Sequence, residues 1–129
     1  MADLLLDTHA CVFALAAPKR LGKDARRALQ RAGASGDPVW IPAVVVAEVI
    51  ILRELGRTDV GLLELEAAFA ASTWRFLPID LQQLDAFAAM AAMRDPFDRL
   101  IVAAARSVRA KLVTKVATIV ELGLVDVVW

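Results

Sequence analysis

Short, unbroken apolar runs, each cut off by a polar or turn-forming residue, constrain this chain more than any other feature. Leu4 to Leu6 ends at Asp7, Val39 to Ile41 at Pro42 and Trp74 to Ile79 at Asp80, while Leu112 to Thr114 and Val125 to Val128 stand near the end. A strand with one solvated face alternates apolar and polar residues, whereas one covered on both faces reads as continuous hydrophobics. Segments of helical length separate these runs. The spacing predicts helices over Ala10 to Ala17, stopped by Pro18, and over Gly22 to Ala32, before a loop from Gly33 to Pro38. Strands alternating with helices imply a three-layer α/β/α arrangement, with a short, mostly parallel sheet flanked by helices. The size suits a single domain over residues 1–129.

The stretch from Val44 to Ile51 is rich in β-branched residues and taken alone favours a strand. Helix is the better reading, because Val44, Ala47, Glu48, Ile51 and Leu55 recur on one face, Pro42 can open the helix and Gly56 can stop it. A further helix is predicted from a Thr58 cap to about Ser72, and another from an Asp80 cap toward Met93. Asp95-Pro96-Phe97-Asp98 is a clear helix start, with Asp at the cap, Pro at the first helical position and Asp at the third; that helix should reach about Ala110.

Composition narrows the function classes. Lys and Arg match Asp and Glu at 15 each. If Asp7, Glu48, Asp95 and Asp98 gather in one site, the remaining surface is mildly basic, which suits a polyanion bound at an acidic, metal-loaded hole. Evenly mixed solubilising charge is the plain alternative. The apolar fraction of 59% exceeds the usual share and predicts an exposed apolar patch covered by a second copy or a bound peptide. One cysteine, Cys11, excludes an internal disulfide and fits a reducing compartment. The amino-terminal run lacks the basic flank of a signal peptide, and no apolar stretch reaches the roughly 18 residues of a membrane span. A soluble, cytoplasmic protein is expected.

The acids carry the chemistry. Asp7 ends the first strand, and in such sheets ligands bind beyond the carboxyl ends of the strands. Glu48 is the only charge between Val39 and Leu52, and burying it unpaired costs several kcal/mol. An Arg such as Arg99 would compensate it, and so would a metal. Two carboxylates 4 Å apart repel by about 4 kcal/mol at an effective dielectric of about 20, so converging acids call for protonation or a cation. Mg²⁺, or Mn²⁺, is the hard, oxygen-seeking ion for such a set.

At these residues the chain resembles the PIN-domain family, and within it the VapC-type toxins of bacterial toxin–antitoxin pairs. The resemblance rests on Leu4-Leu5-Leu6-Asp7-Thr8-His9, on Ala47-Glu48-Val49-Ile50, on Asp95-Pro96-Phe97-Asp98-Arg99-Leu100-Ile101-Val102-Ala103, and on Leu112-Val113-Thr114 with Val127-Val128-Trp129. It implies a PIN-like fold and a Mg²⁺-dependent endoribonuclease that hydrolyses RNA phosphodiester bonds, held inactive by a small cognate antitoxin. Asp7, Glu48 and Asp98 match the family's metal-binding and catalytic acids, and Asp95 is a nearby helper that also serves as a helix cap. Thr8 and Thr114 match residues that line the pocket toward substrate, and Arg99 would contact phosphate or orient Glu48. A homodimer is expected.

The chain departs from the pattern at Val116, where the family usually has a fourth acid. The alternative function is therefore a catalytically impaired or silenced PIN domain that binds RNA or docks an antitoxin. Glu121 and Asp126 could replace the lost charge, although neither stands at the matching position. Other classes fit less well. A haloacid-dehalogenase-like phosphotransferase needs a second Asp where His9 stands, and no glycine-rich phosphate loop occurs. With His9 alone, hydrolytic triads and multi-histidine zinc sites are disfavoured, and a helix-start hydrogen bond is the expected role of that residue. Phe87, Met90 and Met93 read as core. Basic clusters over Lys19 to Arg31 and Arg94 to Lys115 are candidates for guiding RNA, while Trp40, Trp74 and Trp129 lie too far apart in sequence to suggest a stacking platform.

Overall fold

A computed structural model describes residues 3–129. Strand β1, Leu4–Leu6, runs directly into helix α1, Thr8–Ala16. A 3-10 turn at Pro18–Arg20 leads to α2, Lys23–Ser35, then to β2, Val39–Pro42, and α3, Ala43–Glu54. Next come α4, Leu62–Ala71; β3, Trp74–Leu77; α5, Leu81–Ala88; and α6, Pro96–Ser107. The last elements are β4, Lys111–Val113; α7, Ala117–Leu122; and β5, Val127–Val128.

All four strand pairings are parallel, in the order β3-β2-β1-β4-β5. From β1 the chain moves outward through β2 to β3, then returns past both to reach β4. Right-handed connections therefore put α1 to α4 on one face of the sheet and α5 to α7 on the other. This is the expected α/β/α sandwich, and it explains the continuous apolar runs: Leu4, Leu5, Leu6, Val39, Ile41, Leu112 and Val113 are all buried. Met90 and Met93 are buried as read from the sequence, with Phe87 packed against the same core. Among the described residues no helix is long and apolar enough to cross a membrane.

Several boundaries differ from expectation for local reasons. Helix α1 begins at Thr8 rather than Ala10, because Asp7 itself is the cap and accepts from the Ala10 amide at 2.8 Å. Gly33 to Ser35 continue α2 instead of forming a loop; Gly36, at φ +74°, supplies the left-handed residue that ends it. Thr58 caps no helix. Its hydroxyl accepts from Val60 N in a turn, while Glu64 accepts from Gly61 N at the start of α4. Helix α6 stops at Ser107, with Arg109 at φ +54° before β4.

The face predicted on α3 is buried only in part. Val44, Val45, Val46 and Val49 are buried, whereas Ala47 is exposed and Ile51 and Leu55 are 47% and 61% accessible. A helix apolar on most sides gives no periodic signal to say which side packs. The apolar surface expected from composition is present here and on α4, where Leu63 is 72% accessible.

Candidate active site

The strand order reverses between β1 and β4, and the residues just past these two strands, Asp7 and Thr114, meet there. Thr114 Oγ1 donates to Asp7 Oδ2 at 2.6 Å, and Asp7 Oδ1 accepts from Ala10 N at 2.8 Å. Thr114 Oγ1 in turn accepts from Val116 N at 3.1 Å. Both carboxylate oxygens of Asp7 are thus engaged in a side chain only 5% accessible. Of the four buried polar residues described, Asp7, Thr8 and Thr114 lie in this one place. Such concentration is costly for a fold and marks a functional site.

Helix α3 packs on α1 and on α6, which brings Glu48 beside the amino-terminal ends of both. Thr8 Oγ1 donates to Glu48 Oε1 at 2.7 Å. That hydroxyl, rather than a salt bridge from Arg99, compensates the lone carboxylate of the apolar helix. Arg99 is directed elsewhere: its Nε donates to the Phe87 carbonyl at 2.7 Å, and its guanidinium lies 4.0 Å from the Phe87 ring centre. It ties α6 to the end of α5 and does not orient Glu48.

Asp95 caps α6, its Oδ1 accepting from Phe97 N at 2.9 Å and Asp98 N at 3.1 Å. This cap aims the first turn of α6 at the pocket. Asp98, one residue short of a full turn on, is half-buried and accepts no hydrogen bond at its carboxylate among the described residues, so it forms no reciprocal capping box. His9 is exposed and makes no ring hydrogen bond among the described residues; it stands beside Phe13 at 6.1 Å between ring centres. The helix-start bond expected of it is made by Asp7 instead.

The electrostatics bind the acids into one group. Burial pushes the Asp7 carboxyl up, against the lowering effect of the Thr114 and Ala10 bonds and of His9 and Lys115. Burial likewise raises Glu48, with Asp95 and Asp7 adding to the rise while Thr8 opposes it. Asp98 is pushed up to about 6, by burial first and then by Asp95, Glu48 and Asp7. The same burial, with Asp7 nearby, holds the Cys11 thiol at about 12, leaving it inert. Asp7, Glu48, Asp98 and Asp95 are therefore within Coulombic reach of one another. They are not drawn to a common point, for among the described residues no three His, Cys, Asp or Glu side chains form a ready-made metal cage. An all-oxygen donor set with unrelieved like charge matches the requirement of a hard divalent cation.

Val116 caps α7 without a side-chain bond, and its half-buried side chain packs against the core. Glu121 is on the exposed side of α7, where it shares a shallow cavity with Met93, Arg94 and Asp95; Asp126 lines a separate cavity with Arg106 and Arg109. Neither takes the place of an acid at 116. The sequence reading also missed a cluster of Phe13, Arg20, Lys115 and Trp129. Its members come from four separate segments, so no local pattern announces it.

The match to known proteins agrees with this geometry. The PIN domain family model matches residues 4–115, and the chain belongs to that family. Solved structures with a similar fold include VapBC2 from Rickettsia felis bound to a promoter DNA fragment, at TM-score 0.73 and 15% identity, covering 98% of each chain. A toxin–antitoxin complex from Klebsiella pneumoniae superposes at TM-score 0.64 with 19% identity, over 98% of this chain and 96% of that one. FitAcB from Neisseria gonorrhoeae gives 0.63 and 20%, over 96% and 95%. No curated protein sequence matches the chain.

Proposed function

We propose that this chain, as one PIN domain over residues 1–129, is a Mg²⁺-dependent endoribonuclease and the toxin of a type II toxin–antitoxin pair. The observation that carries the reading is the nearness of Asp7, Glu48 and Asp98, within Coulombic reach of one another at the carboxyl edge of a parallel sheet, with all three carboxyls raised by burial and Glu48 and Asp98 also by like charge. These three would hold Mg²⁺ or Mn²⁺. Such an ion, when bound, polarises a phosphate oxygen and makes bound water a better nucleophile.

The chain's own groups prepare the site for that chemistry. Asp7 is oriented by Thr114 and the Ala10 amide, and Glu48 by Thr8. Thr8 and Thr114 act first as holders of carboxylates, with contact to substrate secondary. Asp95 positions Asp98 through the cap of α6. Among the described residues the Asp98 carboxylate has no hydrogen bond to give up, so it is the acid free to follow a ligand. Arg99 supports this arrangement through Phe87. As partners we propose a small antitoxin and a second copy of the chain, both suited to the exposed Ile51, Leu55, Leu62 and Leu63. The cytoplasm is the compartment in which such a toxin would meet its RNA.

The test is cleavage of total RNA with Mg²⁺ or Mn²⁺ by this chain, by Asp7→Asn and by Val116→Asp. Metal-dependent cleavage abolished in Asp7→Asn supports the reading, and cleavage unaffected by that change overturns it. Cleavage seen only in Val116→Asp would assign this chain to the silenced, RNA-binding or antitoxin-docking class.

A further inference from the structure

We propose that Arg20 and Lys115 form a phosphate grip on the flank of the acidic pocket, seated on the Phe13–Trp129 ring pair, which holds the backbone of single-stranded RNA as it enters the acids. The proposal rests on the nuclease reading above and adds to it the route of the strand.

Both cations converge on one ring. The Arg20 guanidinium carbon lies 4.4 Å from the centre of Phe13, and Lys115 Nζ lies 6.0 Å from that centre and 5.3 Å from that of Trp129. The two rings meet edge to face at 6.3 Å. Rings attract each cation individually but do nothing to relieve the repulsion between the two. Neither cation has a direct ion-pair partner, since Arg53–Glu64 on the far helices is the one ion pair among the described residues; the acid that Lys115 feels is Asp7 of the pocket itself. Two cations on one ring pair, neither held in a direct ion pair, form a site for an anion with spread charge, and a phosphodiester fits the planar fork of Arg.

The location selects a nucleic-acid strand over other anions. Lys115 directly follows Thr114, whose hydroxyl holds Asp7, and Phe13 lies on the helix that Asp7 caps. The grip and the acids thus share two segments of chain. An acidic pocket repels a polyanion, so a strand must be held by cations close by before it can reach the acids. The seat is also rigid. The Trp129 carbonyl accepts from Asp24 N and Ala25 N, both at 3.2 Å, and only glycine fits at position 22, where a Cβ would overlap that carbonyl.

The experiment is fluorescence anisotropy with a labelled, unstructured RNA of about 12 nucleotides, within the usual single-strand site size. It uses the whole chain in EDTA, so that nothing is cut, across a salt series. Substituting Arg20→Gln with Lys115→Gln should weaken binding about tenfold and lower the log–log salt slope by about 1.4, the value for two lost phosphate contacts on a single strand. Exchanging the charges in kind, Arg20→Lys with Lys115→Arg, should restore the slope, which a merely structural role for the pair would not. Arg57→Gln with Arg75→Gln, exposed and outside both basic clusters, should leave binding unchanged. The grip is overturned if the Arg20 and Lys115 Gln pair keeps the parental slope, if the Arg57 and Arg75 pair weakens binding as much, or if the parent binds no RNA. It is also overturned if a Glu-rich peptide of equal length displaces the RNA as well as unlabelled RNA does, which would assign the pair to a protein partner. Grip-dependent binding without any metal-dependent cleavage would overturn the nuclease reading and leave the grip standing. Cleavage with binding indifferent to Arg20 and Lys115 would do the reverse.

Discussion

Two strand-to-helix junctions stand side by side at the carboxyl edge of the sheet. At the first, β1 passes into α1 through Asp7, whose side chain caps the helix and is itself held by Thr114. At the second, β4 passes into α7 through Thr114 and Val116; the cap residue is apolar, and its amide donates to the Thr114 hydroxyl. Thr114 serves both, donating its proton to one junction and accepting from the other. The first junction has combined a structural task with an acid; the second performs the structural task alone. A missing acid at 116 therefore leaves the local fold satisfied and removes only charge from the pocket.

Breaking the first junction should have the largest effect. Asp7→Ala removes the cap, worth about 0.5–2 kcal/mol, and leaves the Thr114 hydroxyl without its acceptor, at about 1–3 kcal/mol. Relief of a buried charge offsets part of this, so a net loss of about 2 kcal/mol is expected from urea unfolding in EDTA. Asp7→Asn keeps an acceptor and a good cap and should stay near parental stability, yet RNA cleavage should vanish in both. If Asp7→Ala unfolds at the parental urea concentration, Asp7 is not doing the work of a cap.

Thr114→Val removes the group shared by the two junctions and should cost about 1–2 kcal/mol, by loss of one buried bond to a carboxylate and of the acceptor for Val116 N. Thr8→Val breaks a comparable bond to a half-buried acid that water can partly replace, so its cost should be smaller. Equal losses in the two variants would show that Thr114 bridges nothing the fold depends on.

What the sequence makes legible is local chemistry. Asp95-Pro96 marks the start of α6 because cap, fixed φ and helix dipole act within one turn. Leu4 to Leu6 marks a doubly covered strand because burial on both faces leaves no alternation. Pairing across the fold is not legible. Thr8 could be seen as a pocket residue, but its bond to Glu48 spans 40 positions. Arg99 looked free for Glu48 or phosphate because nothing in the sequence reveals that Phe87 offers both a carbonyl and a ring. Which side of α3 packs is illegible for a related reason: its inner and outer faces are both apolar, and only packing distinguishes them.

The unrelieved charge around the first junction, shared with Glu48 and Asp98, makes a pH prediction. Raising the Asp98 carboxyl from 3.8 to about 6 means that the folded chain keeps a proton the unfolded chain has lost between those values. Stability of the metal-free protein should therefore fall as pH rises through that window and remain lower above it, with Asp7 and Glu48 acting in the same direction. The expected result is a higher Tm at pH 5 than at pH 7 in EDTA, and a Mg²⁺-induced rise that is larger at pH 7. Asp98→Asn should flatten the first trend and shrink the second. A metal-free Tm that climbs from pH 5 to pH 7 would contradict the charge coupling.

Making the second junction like the first should produce the smallest effect on stability. Val116→Asp would add a capping oxygen to α7, worth about 1 kcal/mol, together with a further negative charge beside acids already raised by burial and, at Glu48 and Asp98, by like charge. At pH 7 in EDTA these effects oppose each other, and the Tm should stay close to the parental value. Mg²⁺ removes the penalty and keeps the cap, so the variant should gain more from the ion than the parent does. Lowering the pH to 5 should also favour it, because the neighbouring acids then carry less charge. A gain of equal size with and without Mg²⁺ would mean that position 116 acts only on its own helix. In that case the two junctions are electrostatically separate, and an acid at 116 is not a missing member of the Asp7 pocket.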